Sequence, residues 1–128
     1  MKFLLDTHTF IWFVLNQPEL SSVARDLIIN PNHDILLSPA TQWEIAIKIS
    51  IDKYQLPDPY EVWMNQQLLT NTFEILPITI AHTATVINLP FHHKDPFDRL
   101  LIAQAIVENI PIISTDGIFD SYPVDRIW

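Results

Sequence analysis

The chain predicts an α/β fold, a three-layer α/β/α sandwich around a central parallel sheet of four to five strands. Three observations carry that expectation. Short apolar runs alternate with longer helical patterns along the whole chain. The first strand-like runs are apolar after their opening residue, as strands buried on both faces are. Parallel strands also need crossover helices of fixed hand, which lays helices over both faces of the sheet.

Taken in order, Lys2 to Leu5 reads as a buried strand. A short helix follows from about Thr7 to Val14, and a second starts at Ser21 or Ser22 and is stopped by Asn30-Pro31. Asp34 to Leu37 is the second strand. Ser38 can then accept the free amides of a helix that begins with Pro39 and runs to about Ile51. Asp58-Pro59-Tyr60-Glu61 sets an acid at a cap and another three residues on, and opens a helix ending near Asn71. Glu74 to Leu76 is the third strand, and Thr79 to Asn88 is a further helix. Asp95-Pro96-Phe97-Asp98 then opens a nearly all-apolar helix, Phe97 to Glu108, of the kind that sits buried. Asn109 and Pro111 end it, Ile112 to Ser114 is the fourth strand, and Val124 to Ile127 is a fifth at the sheet edge.

Composition narrows the chemistry. With 128 residues and 48% hydrophobic content, residues 1–128 suit one domain that buries roughly two-thirds of its unfolded surface. No apolar run approaches the roughly 20 residues that span a bilayer, so a soluble cytoplasmic protein without a membrane segment is expected. The absence of cysteine excludes a disulfide framework, a thiolate nucleophile and a Cys-ligated zinc. A single glycine, Gly117, excludes both the Gly-rich dinucleotide fingerprint and the phosphate loop of nucleoside triphosphatases. Phosphate chemistry here has to use a cation.

Four carboxylates stand where secondary structure changes. Asp6 follows Phe3-Leu4-Leu5, Glu44 lies in the helix after the second strand, Asp98 in the first turn of the apolar helix, and Asp116 just after the fourth strand. In a parallel sheet the ligand crevice lies beyond the carboxyl ends of the strands, so all four should face one edge. At an effective dielectric of about 20, two carboxylates roughly 5 Å apart repel by about 3 kcal/mol, so four gather only with protonation or a cation. Magnesium or manganese, one or two ions, suits such hard oxygen donors.

Each acid has a plainer role open to it. Asp6 can cap the first helix, Glu44 can pair with Lys48 one turn on, Asp98 can complete a reciprocal cap with Asp95, and Asp116-Gly117 can be a simple turn. Arg99 either contacts a substrate phosphate or forms a structural ion pair. His92 and His93 suit a solvated or capping loop better than a zinc site, and Trp12, Trp43, Trp63 and Trp128 suit core or interface anchors better than base-stacking platforms. The net charge of -8 counts against binding nucleic acid: removing the four candidate ligands from 15 acids leaves 11 against 7 bases.

The segment Asp95-Pro96-Phe97-Asp98-Arg99-Leu100-Leu101-Ile102-Ala103-Gln104-Ala105 closely resembles the PIN-domain nucleases, in particular the VapC-like toxins of bacterial toxin-antitoxin pairs. The likeness begins at Leu5-Asp6-Thr7-His8 with Trp12 shortly after, continues through Trp43-Glu44-Ile45-Ala46-Ile47-Lys48, and closes with Ser114-Thr115-Asp116 and Ile127-Trp128. One departure is Asp52-Lys53-Tyr54, where relatives commonly have Gly-Lys-Leu. The resemblance implies a Mg²⁺- or Mn²⁺-dependent endoribonuclease. In it Asp6, Glu44, Asp98 and Asp116 hold the metal, Ser114 supports the site and Asp120 is an auxiliary acid. It further implies a water nucleophile, products ending in 5′-phosphate and 3′-hydroxyl, an RNA substrate, a small antitoxin that masks the site, and a homodimer.

Two rivals come from other classes. Phe3-Leu4-Leu5-Asp6-Thr7 could instead end in a nucleophilic aspartate of the haloacid-dehalogenase type, although His8 stands where that family has a second acid. A non-catalytic binding module of the same fold would use the acidic surface with Tyr60, Trp63 and Met64.

Overall fold

Five strands, β1 (Lys2–Leu5), β2 (Asp34–Leu37), β3 (Glu74–Ile75), β4 (Ile112–Ile113) and β5 (Arg126–Ile127), form one sheet in a computed structural model describing residues 1–128. Their order is β3-β2-β1-β4-β5 and every pairing is parallel. Six helices connect them: α1 (Thr7–Val14), α2 (Ser22–Ile29), α3 (Pro39–Ser50), α4 (Tyr60–Asn71), α5 (Ile80–Ile87) and α6 (Pro96–Glu108). A short 3₁₀ turn, Gly117–Ser121, follows β4. The sandwich and the parallel sheet agree with the sequence reading; β3, β4 and β5 are each shorter than expected, at two residues.

Side-chain alternation along the strands divides the interior in two. On one face Phe3, Leu5, Ile35, Leu37 and Ile113 pack with Phe10, Ala24, Ile28, Ile45, Trp63 and Met64 of α1 to α4. On the other, Leu4, Leu36 and Ile112 pack with Leu101, Ile102 and Ala105 of α6, together with Leu89 and Phe119. The chain steps outward from β1 to β2 to β3, then returns past β1 to β4. Because each crossover keeps the same hand, reversing direction moves α5 and α6 to the opposite face.

Most helix starts follow the expected chemistry. Ser21 caps α2 and Ser38 caps α3, each accepting a backbone amide at 3.0 Å, and Pro39 and Pro96 sit where no amide is needed. Asp58 does not cap α4. Pro59 takes the cap position in an extended conformation, with no side-chain bond, so the expected acid lies one residue too far upstream. The cap of α5 is a box closed by histidine: Thr79 accepts the His82 amide at 3.3 Å, and His82 Nδ1 accepts the Thr79 amide at 3.0 Å. At the far ends, Thr72 and Asn109 adopt the left-handed conformation with φ of 57° and 54°. They do what glycine usually does in a chain that has one glycine.

Register fixes what stands at the carboxyl edge. Leu4 pairs with Leu36 and Leu5 with Ile113, so Asp6 and Ser114 emerge side by side one residue beyond the ladder, with Ser38 ending the strand next door. The connections diverge between β1 and β4, and this is where a parallel sheet opens a crevice.

Candidate functional site

The carboxyl edge is organised around Asp6. Asp6 is 4% exposed. Its Oδ1 accepts the Thr9 amide at 2.8 Å and caps α1, while its Oδ2 accepts the Ser114 hydroxyl at 2.5 Å. Thr9 in turn donates its hydroxyl to the Ile113 carbonyl at 2.9 Å, which fastens α1 to the end of β4. Ser114 Oγ also accepts the Asp116 amide at 3.0 Å, so one buried serine joins two of the four acids. Asp116 then caps the 3₁₀ turn through Oδ1, which accepts the Ile118 amide at 3.0 Å.

Glu44 enters from α3. Its carboxylate turns inward, where Thr7 Oγ1 donates to Oε1 at 2.8 Å and lies 3.1 Å from the Thr41 hydroxyl. Asp98 enters from the first turn of α6, whose cap is Asp95: one oxygen of Asp95 accepts the amides of Phe97 and Asp98 at 2.8 and 3.1 Å. The reciprocal half of that cap belongs to His93, whose Nδ1 accepts the Asp95 amide at 3.2 Å; Asp98 does not supply it. His93 Nε2 lies 2.8 Å from Asp116 Oδ2 and 3.2 Å from Asp98 Oδ2.

The four acids converge unequally. Ligand atoms of His93, Asp98 and Asp116 all lie within 4.8 Å of one another. Asp6 and Glu44 lie outside that group, yet both act on Asp98. Burial, then the charges of Asp95, Asp6, Glu44 and Asp116, push the Asp98 carboxyl up to about 8. Burial likewise raises Asp6 against the opposing bonds from Ser114 and Thr9, and raises Glu44 against the bond from Thr7. Hard oxygen donors held together against their own repulsion suit a divalent cation.

Arg99 does not form the ion pair expected of it as a structural residue. It is buried, with no carboxylate partner, and its guanidinium donates to four backbone carbonyls: Pro90 at 2.9 Å, His93 at 3.3 Å, Val86 at 3.2 Å and Leu89 at 3.1 Å. Phe91 covers it, with the ring centroid 4.0 Å from the guanidinium carbon. Arg99 thus replaces secondary structure in the loop leading to α6. Both oxygens of Asp120 accept from Arg126 at 2.9 Å, which holds that exposed carboxyl below its usual range, and Arg126 also donates to the Ser114 carbonyl at 3.1 Å.

Sequence reasoning missed Thr7, Thr9, Thr41 and Tyr122 as supports, and it gave His93 only a loop or cap role. Tyr122 accepts the His93 amide at 2.8 Å and donates to the Pro90 carbonyl at 2.6 Å. The available signals were Thr7 and Thr9 flanking the strand end after Asp6, and the imidazole two residues before a cap. Of the tryptophans, Trp63 is core, and Trp12 packs edge-on against Trp128. Trp43 is not a core residue: it is 65% exposed, its ring edge-to-face with Phe97 at 5.4 Å.

The model of the PIN domain matches residues 3–124. The chain belongs to the PIN domain family. Its fold matches a chain of VapBC2 from Rickettsia felis bound to a promoter DNA fragment, with a TM-score of 0.75 at 16% identity over 99% of this PIN domain and 98% of that chain. A chain of DNA-bound VapBC from Salmonella typhimurium gives 0.72 at 16%, covering 99% and 97%. A member of the VapBC family of toxin-antitoxin systems, VapBC-5 from Mycobacterium tuberculosis, gives 0.62 at 18%, covering 98% and 97%. At these identities the likeness is one of fold. Among curated protein sequences nothing matches this PIN domain.

Two outcomes follow from the site. Arg99→Ala removes four hydrogen bonds, leaves the Leu89 and His93 carbonyls without a donor and should lower stability by on the order of 3 kcal/mol, with Arg99→Lys unable to restore it. A melting temperature for Arg99→Ala equal to that of the parent would overturn the structural role. The second outcome concerns pH. The folded Asp98 carboxyl holds its proton up to about 8, against 3.8 for the ordinary group. Proton uptake by the fold therefore stabilises it fully below about pH 4, and that contribution is lost as pH rises toward 8. In chelator the melting temperature should fall across this window, Mg²⁺ at pH 8 should raise it again, and Asp98→Asn should flatten both responses.

Proposed function

We propose that this PIN domain is a divalent-metal-dependent endoribonuclease and the toxin of a toxin-antitoxin pair. The observation that carries the reading is the gathering of carboxylates around a buried Asp98, where burial first and then the charges of Asp95, Asp6, Glu44 and Asp116 push its carboxyl up to about 8. An arrangement so unfavourable without a cation is well suited to one. Asp6, Glu44, Asp98 and Asp116 are the proposed ligands, with Ser114 holding Asp6 and the amide of Asp116 in register.

When bound, one or two Mg²⁺ or Mn²⁺ ions supply charge neutralisation at the scissile phosphate and acidify the water that attacks it. The chain's own part is positional. Thr9 and Ser114 fix both oxygens of Asp6, and Thr7 fixes Glu44, so that neither carboxylate needs to reorganise when a phosphodiester arrives. Trp43, exposed and braced edge-to-face by the half-buried Phe97, stands next in sequence to a proposed ligand and offers a face on which a base of single-stranded RNA can stack. With a net charge of -8, affinity rests on this local site more than on a basic surface.

The dehalogenase-type reading loses support, because both oxygens of Asp6 are occupied by donors in a buried cap. The binding-module reading is weakened by Trp63 and Met64, two of its three proposed contacts, which lie in the core. A proteinaceous antitoxin and a homodimer are inferred from the family and from the VapBC complexes whose fold this chain shares. No helix is long and apolar enough to cross a membrane.

Single-stranded RNA should be cut by the purified chain with Mg²⁺ or Mn²⁺ and left intact with chelator. Asp98→Asn should slow cutting on the order of a hundredfold or more, given the several kcal/mol that metal-assisted charge stabilisation contributes. Fragments should end in 5′-phosphate and 3′-hydroxyl; 2′,3′-cyclic phosphate ends would sink the water-nucleophile mechanism. Trp43→Ala should raise KM about tenfold, with kcat nearly unchanged, if one stacked base is lost. An unaltered KM for short RNA would remove Trp43 from the substrate site.

A further inference from the structure

His93 does something a solvated loop histidine does not. Its imidazole is wedged between Asp98 and Asp116, with Nε2 at 3.2 and 2.8 Å from their Oδ2 atoms. The hydrogen positions on the ring follow from its other contact. The Asp95 amide points at Nδ1, 3.2 Å away, so Nδ1 carries the lone pair and Nε2 carries the hydrogen. The group facing the two carboxylates is therefore an N–H donor.

Such a ring is poorly set to ligate a metal through Nε2. Ligation would move the hydrogen to Nδ1, where it would meet the Asp95 amide, donor against donor. Asp95 cannot readily turn away, because its side chain caps α6 through the amides of Phe97 and Asp98. The ring's seat is fixed from behind as well. The His93 amide donates to Tyr122, the His93 carbonyl accepts from Arg99, and the ring packs against Phe119 with centroids 5.7 Å apart.

We infer that the His93 Nε2–H is a competitor built into the acid cluster: it bridges Asp98 and Asp116 and has to release them before they could hold a cation. The inference rests on reading the cluster as a metal centre. It makes His93 a positioning residue that sets the strength of cation binding, and not a ligand. The distinction reverses the sign of one measurement. Removing a ligand weakens binding, whereas removing a competing donor frees the Asp98 and Asp116 oxygens and strengthens it.

Mn²⁺ binding to the full chain can be followed by titration calorimetry for the parent, His93→Ala and His93→Gln. His93→Ala should lower Kd by about tenfold, the order of one hydrogen bond to a charged group. His93→Gln, whose side-chain amide donates to the same oxygens, should stay close to the parent. Should His93→Ala not fold, Tyr122→Phe carries the test: it loosens the anchor of the ring and should shift Kd the same way by less. Weaker binding by His93→Ala would make the imidazole a ligand, and unchanged binding would make it loop packing; either overturns this inference while the metal centre stands. If none of the proteins binds Mn²⁺, the metal-centre reading falls and this inference falls with it.

Discussion

Like charges meet at the carboxyl edge of the sheet, and the surrounding structure is arranged to make their meeting tolerable. Asp6 has the helix cap and Ser114, Glu44 has Thr7, and Asp116 has the Ile118 amide. Asp98 has only the His93 ring as donor, and burial together with the neighbouring acids pushes its carboxyl up to about 8. The same donors are the ties that join α1, α3 and α6 to the sheet, so the chemistry of the edge and the docking of the helices are one set of interactions.

That arrangement depends on topology. Asp6 and Ser114 are neighbours because β1 and β4 pair in register, although they are far apart in sequence. Asp6 and Glu44 come from elements on the α1 to α4 side, while Asp98 and His93 come from the α5 to α6 side. The cluster therefore straddles the two layers at the point where the crossovers diverge. Arg99 secures the α6 side of this junction from within, its guanidinium bonding the end of α5 at Val86 and the Leu89, Pro90 and His93 carbonyls of the loop that follows.

Much of this was legible from local signals. Apolar runs ended by Asp6 and Ser38 marked the strands, and Ser21, Ser38 and Asp95 marked helix starts, because both depend on a few adjacent residues. Asp58 misled because the same Asp-Pro pair serves as cap and first turn at Asp95 but lies one step outside the helix at Pro59. The convergence of the acids could be anticipated from the rule that loops follow the carboxyl ends of parallel strands. Arg99 and His93 could not be assigned so simply. Their partners are backbone carbonyls in one case and acids from two other segments in the other, and no spacing in the sequence records such contacts.

The order in which the chain is made gives the two-layer cluster a further meaning. Asp6 and Glu44 are synthesised early, whereas Asp98, Asp116 and the Arg126 that holds the Ser114 carbonyl come last. A chain still attached to the ribosome can have β1, β2 and three of its helices in place and still lack half of its acids. If the chain cuts RNA as proposed, its site cannot assemble before Asp98 and Asp116 have been made, and activity is delayed until then.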